Sequence, residues 1–284
     1  MNKNLYNDDD YVNLGLRDAQ KLMTEILKEV HKICEKHNIK YFLDAGTLIG
    51  AVRHKGFIPW DDDLDIGMLR EDYRKFLEVA KKELPDNLFL QTFESDKNYD
   101  IYQVPCKIRY NDTLFIQKVI AENPDMHNGL YIDVLPYDSL PKSKFVYKIQ
   151  RKISNNIIKS FVRMREKPEK LTLKNKITHA IYKIVVSVLK DEGRQRVFDK
   201  LIKWNDVNSP YMAYGVDTPW DQYIYKKEDF FELKKIEFEG EYFYAPKNPD
   251  AILTQLYGDY MTLPKEEERQ WHAKIIKVHK SLIG

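Results

Sequence analysis

The sequence predicts a mixed α+β fold. Three observations predict it: a long amphipathic helix near the N-terminus, a series of short apolar strands between residues 41 and 136, and a helical stretch from Lys142 to about Asn208 that gives way to a small β/α tail. At 284 residues the chain can bury a full core without metal or disulfide staples. The 19 Tyr and 13 Phe supply material for that core, although charged residues reach 32%, above the usual quarter.

From Leu14 to His37, Ala19, Leu22, Met23, Ile26, Leu27, Val30, Ile33 and Cys34 recur at three- and four-residue spacing, which makes one apolar helix face, and Asn38 can end it. Tyr41-Phe42-Leu43 is a short buried strand. Gly46-Thr47 turns into a short helix from Leu48 to Arg53, and His54 to Asp61 is a loop punctuated by Gly56 and Pro59. A strand over Leu64 to Met68 leads to a helix over Glu71 to Leu84, which Pro85 breaks. Leu88–Phe93, Val104–Tyr110, Leu114–Val119 and Gly129–Pro136 are the next strands. Three helices follow, the last over Arg194 to Trp204. Ile236–Phe238 and Tyr242–Ala245 form a hairpin around Gly240-Glu241, and a helix over Pro249 to Tyr257 is ended by Gly258. The expected units are a catalytic core over 1–140, a basic helical region over 141–210, and a C-terminal β/α segment over 211–284 that packs on the core and completes the site.

Only Cys34 and Cys106 are present, each inside an apolar pattern, so both are expected as reduced core thiols. No basic stretch followed by an apolar run opens the sequence, and no run reaches the roughly 20 apolar residues of a membrane span. A cytoplasmic protein is the expectation. The net charge of +2 hides a segregation: Lys142 to Lys190 holds fourteen Lys or Arg against two acids, a net +12, so the rest of the chain carries −10.

The densest chemistry lies between Asp44 and Asp65. Asp63 and Asp65 flank Leu64 at the start of a strand, so they share one face while Leu64 and Ile66 enter the core. Two neighbouring carboxylates repel unless a cation sits between them, and an all-oxygen donor set points to Mg²⁺ or Mn²⁺. Asp133, set between Ile132 and Val134, is a third acid that burial would penalise unless it met a charge or metal. If its strand lies beside that of Asp63 and Asp65, three carboxylates converge in the arrangement used for phosphoryl transfer, with Asp133 as ligand, base or both. Gly46 and Thr47 would present backbone N–H groups to a phosphate at a helix N-terminus. Arg53, His54 and Lys55 would neutralise charge on a leaving group. Each piece also has an ordinary reading: Asp61 and Asp62 as a solvated turn, Gly46-Thr47 as a helix cap, Arg53-His54-Lys55 as a surface turn, Asp133 in a structural ion pair with an Arg.

Taken together, Gly-Thr-Leu-Ile-Gly-Ala-Val-Arg-His-Lys-Gly-Phe-Ile-Pro-Trp-Asp-Asp-Asp-Leu-Asp-Ile-Gly-Met, residues 46–68, resembles the signature of the LicD-type phosphocholine transferases, a family that includes the fukutin-related proteins. The resemblance continues in Lys107-Ile108-Arg109, in Gly129 to Asp138 and in Tyr257 to Pro264, and is loose after Lys142. It implies a nucleotidyltransferase fold, with Gly46-Thr47 where Gly-Ser or Gly-Gly is usual, Asp63 and Asp65 as paired metal ligands and Asp133 as the third acid. It also implies that Lys107 and Arg109 join Gly46, Thr47 and Lys55 in binding the nucleotide phosphates. The donor it implies is CDP-linked, commonly CDP-choline. The acceptor it implies is a sugar hydroxyl on a lipid-linked or polymeric cell-surface glycan such as teichoic acid or lipopolysaccharide. A choline head group is held by aromatic rings, for which Trp60 and Tyr225 lead a set that includes Trp220, Tyr223 and Trp271.

Two alternatives remain open at this level. One is a nucleotidyltransferase moving NMP from an NTP to a protein or small molecule; the other is a non-catalytic membrane-associated scaffold. The basic helical region, with Phe145, Tyr147, Phe161 and Ile177 to Leu189 interspersed, suits peripheral contact with an anionic membrane on its cytoplasmic face. No nucleic-acid motif accompanies the charge, so no nucleic-acid partner is expected.

Overall fold

The computed structural model describes residues 9–99, 104–118, 125–164, 173–219, 223–269 and 271–282, with the side chains of 173–176 and 191 left out of the description. A long helix α1 (Leu16–His37) follows a three-residue strand β1 (Tyr11–Asn13) and ends at Asn38, whose left-handed φ of 51° caps it as the sequence indicates. Then come β2 (Phe42–Leu43), α2 (Ala45–His54), β3 (Asp65–Leu69), α3 (Arg70–Glu83), β4 (Leu88–Thr92), β5 (Cys106–Tyr110), β6 (Thr113–Gln117) and the nine-residue β7 (Tyr131–Ser139). Helices α4 (Lys144–Arg163) and α5 (Leu173–Ile202) follow, and α5 is broken at Lys190 by φ 50°, ψ −177°, which yields the two helical pieces expected there. The rest comprises β8 (Tyr211–Tyr214), β9 (Tyr225–Lys226), α6 (Lys227–Phe230), the hairpin β10 (Lys234–Phe238) and β11 (Glu241–Ala245), α7 (Pro249–Tyr257) and β12 (Ala273–His279).

The main sheet runs β2-β3-β7-β5-β4, with β8 and β9 added along the far half of β7. β3 and β7 are parallel, and the other pairings are antiparallel, so the sheet is mixed and the α+β class expected from the sequence is present. One face is apolar. Ile66, Val134, Cys106, Ile132 and Ile108 are fully buried there in the same core as Ile26, Leu27 and Val30 of α1 and Phe76 of α3. Both cysteines are buried free thiols, as expected. A second sheet, β1-β12-β6, packs through Phe115, Ala273 and Ile276 against Leu130 and Tyr131. The helical region builds a core of its own, with Ile157, Ile158 and Phe161 of α4 meeting Phe198 and Leu201 of α5.

At the C-terminal end of β3, Arg70 joins three segments. Its guanidinium donates to both oxygens of Asp138 at 2.8 and 3.0 Å and to both oxygens of Asp217 at 2.9 and 2.6 Å, the two carboxylates being buried and Arg70 largely so. Two bidentate pairs on one cation satisfy the carboxylates fully.

Removing one partner from such a buried group leaves uncompensated charge. Arg70→Met is expected to cost about 3–5 kcal/mol in urea unfolding at neutral pH. His127 should set an acid limit: it stacks on Phe89 at 4.9 Å, its Nε2 donates to Asn111 at 2.9 Å, and its Nδ1 accepts from the Gly129 amide at 3.2 Å. Burial pushes its pKa down to about 4. Because that lies below the unfolded value of about 6.5, the unfolded chain takes the proton first as pH falls. Stability is therefore expected to drop between about pH 6.5 and 4, and His127→Asn should flatten that part of the urea-midpoint profile.

Candidate active site

The parallel pairing of β3 with β7 sets Asp65 level with Asp133, and the antiparallel pairing of β7 with β5 sets Asp133 level with Lys107. Side chains at paired positions share a face, so Asp65, Asp133 and Lys107 form one row, continued on β4 by Gln91. Lys107 Nζ donates to Asp133 Oδ1 and lies 3.5 Å from the ring centre of Tyr131. A lysine, rather than the arginine considered from sequence, is thus the partner of Asp133. Arg109, one row along, donates to Gln91 and to the Gly129 carbonyl and is 2% exposed.

Helix α2 brings its N-terminus to the same corner. Asp44 caps it by accepting from the Ala45 amide at 2.8 Å, and its other oxygen accepts from Tyr137 at 2.7 Å. Its own amide donates to the Asp65 carbonyl at 3.0 Å. Thr47 Oγ accepts from the Asp65 amide at 2.8 Å, so this hydroxyl fixes the start of β3. Gly46 leaves room for a carboxylate: a Cβ there would come within 3.0 Å of Asp61 Oδ2. The loop that carries Asp61 is held from α1 by Gln20, whose amide donates to the Asp61 carbonyl at 2.8 Å.

Burial and mutual repulsion shape the titration of these acids. Burial, then the neighbouring Asp63, pushes Asp61 up to about 8. Asp65 is held well above the usual carboxylate range by burial and then by Asp63 and Asp133. Asp63 and Asp133 are raised by burial, opposed respectively by His272 and by Lys107. Asp65 Oδ1 is buried without a hydrogen-bond partner among the described residues. Among those residues no three His, Cys, Asp or Glu side chains already have the spacing of a finished metal cage. The donor set nonetheless fits a hard divalent cation, because it is all oxygen, carries excess negative charge and includes an unsatisfied buried carboxylate oxygen.

Arg53, His54 and Lys55 lie at the other end of α2, about 15 Å along the helix from Asp44 at 1.5 Å per residue. Arg53 donates to the Tyr260 carbonyl at 2.7 Å and to His54 Nε2 at 2.9 Å, which keeps His54 neutral; burial and then Arg53 lower the His54 pKa. Lys55 is exposed and pairs with Glu237 at 3.0 Å.

Residues 38–150 match the family described as LicD/FKTN/FKRP, nucleotidyltransferase domain. The matched stretch contains Asp63, Asp65 and Asp133. The chain is 29% identical over 270 residues to the lipopolysaccharide cholinephosphotransferase LicD of Haemophilus influenzae, spanning 91% of this chain and 96% of that protein. It is 56% identical over 122 residues to the uncharacterized protein RP689 of Rickettsia prowazekii, 43% of this chain and 41% of that one. Over 52 residues it is 38% identical to the human ribitol 5-phosphate transferase FKRP, 18% of this chain and 10% of that one.

The structure gathers Asp63, Asp65, Asp133, Lys107, Gly46 and Thr47, and leaves Arg53, His54 and Lys55 at the far end of α2. Arg109 is held within the sheet and faces no open space. Trp60 is half-buried with Arg269 over its ring at 4.5 Å. Tyr225 is not a surface ring as expected for cation capture: it is 1% exposed and packs on Tyr137, Tyr214 and Phe230. Trp220 lies outside the described residues.

Asp61 and Asp62 are not the solvated turn that sequence allowed. Asp62 is 1% exposed and accepts from the His272 amide at 3.0 Å, His272 Nδ1 at 2.9 Å and the Ala273 amide at 2.6 Å. It thereby anchors β12 beside the carboxylates. His272, 3.5 Å from Asp63, is raised to about 9 by its bond to Asp62 and so is a cation at neutral pH. Nothing local marks His272, since its partner is 210 residues away. Tyr257 of α7 also belongs here, and burial with Asp44 and Asp65 raises its phenol.

In metal-free buffer Asp65→Asn is expected to leave the melting midpoint unchanged or higher, because it removes like-charge repulsion. Asp62→Asn replaces an acceptor of three bonds with a group that can accept at one atom only, and should cost about 2–3 kcal/mol in the same measurement.

Proposed function

We propose that this chain is a metal-dependent phosphoalcohol transferase. It moves phosphocholine, or a related phosphoalcohol, from a CDP-linked donor to a sugar hydroxyl of a cell-surface glycan precursor such as lipopolysaccharide or teichoic acid. The observation that carries the reading is the row of Asp65 and Asp133 with its unsatisfied carboxylate oxygen, set at the N-terminus of α2 inside a LicD-type domain. Similarity to a lipopolysaccharide cholinephosphotransferase over nine-tenths of the chain supports the class of group transferred.

In this reading Asp63, Asp65 and Asp133 hold Mg²⁺ or Mn²⁺. What the cation supplies when bound is neutralisation of the donor's pyrophosphate and a lowered pKa for the acceptor hydroxyl. Lys107 fixes the Asp133 carboxylate and limits repulsion within the row. The first turn of α2, kept open by Gly46, offers backbone N–H groups to a phosphate oxygen, and Thr47 holds Asp65 in register. Arg53, with the neutral His54 and exposed Lys55, lines the route along α2 for the remainder of the donor. The acceptor oxygen bonds to the choline-side phosphorus, the bridging P–O bond breaks, and CMP leaves with its electron pair. The acceptor proton passes to a carboxylate of the row. Tyr223 and Tyr257, 42% and 47% exposed, are the rings placed to face a quaternary ammonium. Peripheral contact with the inner face of the cytoplasmic membrane would bring a lipid-linked acceptor to this site.

Incubation with CDP-choline, Mg²⁺ and lipid-linked glycan is expected to release CMP, and EDTA to stop it. Asp63→Asn and Asp65→Asn should each cut release roughly a thousandfold, whereas His54→Ala should cost less because Arg53 and Lys55 remain. Pyrophosphate released from an NTP, with no CMP from any CDP-alcohol, would instead identify a nucleotidyltransferase.

A further inference from the structure

We propose that the first half of α5, before the break at Lys190, is a docking helix that lies in the head-group layer of an anionic phospholipid bilayer. Ile177, Ile181, Ile184 and Val188 recur at helical spacing and are 61, 55, 64 and 75% exposed. These four side chains form a single stripe, because steps of four, three and four residues return to one face of a helix. Val186 and Leu189, on the other side of the helix, pack against the core formed with Ile157, Ile158 and Phe161 of α4. The stripe is therefore an outward face left in water while the inward face is used. Isolated apolar residues at a surface are ordinary, but a continuous line of β-branched side chains along three turns is a contact surface.

Charge selects the partner. Between residues 170 and 190 the sequence contains five lysines and no acid. Lys183, on a flank of the same helix, and Lys190, at its end, are exposed. Neighbouring α4 also lacks any acid and exposes Lys148, Lys152, Lys159 and Arg163. A second copy of this chain seated two-fold on the stripe would set one lysine rim against another. An anionic bilayer offers hydrocarbon to the stripe and negative head groups to the rim, each lysine adding to the attraction. The helix lies on the membrane and does not cross it, since no helix of the described residues is long and apolar enough to span. This gives the peripheral contact named above an element and a lipid chemistry, and it does not depend on which group the active site transfers.

The test is flotation of the full chain with vesicles of phosphatidylglycerol and phosphatidylcholine against vesicles of phosphatidylcholine alone. Anionic vesicles are expected to carry about tenfold more protein, with the difference shrinking in about 0.5 M NaCl. Ile181→Asp/Ile184→Asp and Lys183→Glu should each lower flotation toward the neutral-vesicle level while leaving the circular dichroism spectrum and melting midpoint unchanged. Equal and negligible flotation with both vesicles would overturn the proposal, as would wild-type flotation by both variants. A concentration-dependent dimer in sedimentation velocity, dissolved by Ile181→Asp/Ile184→Asp in a chain that does not float, would also overturn it and assign the stripe to a second copy. Loss of CMP release with flotation intact would count against the reaction alone.

Discussion

Like charges placed side by side across a sheet are the constraint around which this molecule is organised. The pairing of β3 with β7 leaves Asp65 and Asp133 no choice but adjacency, and the face opposite is already committed to α1 and α3. One oxygen of Asp133 is answered by Lys107, whose stem and head are buried against Tyr131. Oδ1 of Asp65 is answered by nothing among the described residues. A fold spends stability to keep such a group only where something else binds it, which is why the row reads as a site and not as a defect.

The strand that creates this tension also contains its counterweight. β7 begins among the carboxylates and ends at Asp138, where Arg70 clamps it to the segment after β8. At that end every carboxylate oxygen is paired; at the other end they are deliberately under-supplied with cations. The same residue type thus has opposite duties at the two ends of one strand, decided by whether the nearest guanidinium or ammonium supplies an N–H to every carboxylate oxygen. The apolar core between the ends keeps the register that separates the two environments.

Much of this was legible in the sequence because it is local. Helical periodicity in α1, the Pro249 and Gly258 boundaries of α7 and the hairpin around Gly240 are written within a few residues of where they act. Asp63, Asp65 and Asp133 stood out because acids in apolar strands are costly. What stayed hidden depends on pairing at long range. β1 is three residues with no pattern of its own and exists by pairing with β12. Asp62 resembles any acid in a turn until His272 and Ala273 arrive to satisfy it. Tyr225 looked like a free ring because burial of an aromatic depends on what packs over it, and Tyr137, Tyr214 and Phe230 come from elsewhere in the chain.

The contact between Asp62 and His272 has a consequence for how the chain acquires its shape. Loop closure across 210 residues costs entropy that is regained only after most of the sheet is in place. The helices and the β4–β5 hairpin close over short distances and can form early. The carboxylate corner, built from segments near 44–65, 107, 133 and 257–273, is assembled from the slowest contacts in the molecule. Refolding should therefore pass through a stage in which secondary structure and much of the core are complete while the corner is still open, and competence trails compactness.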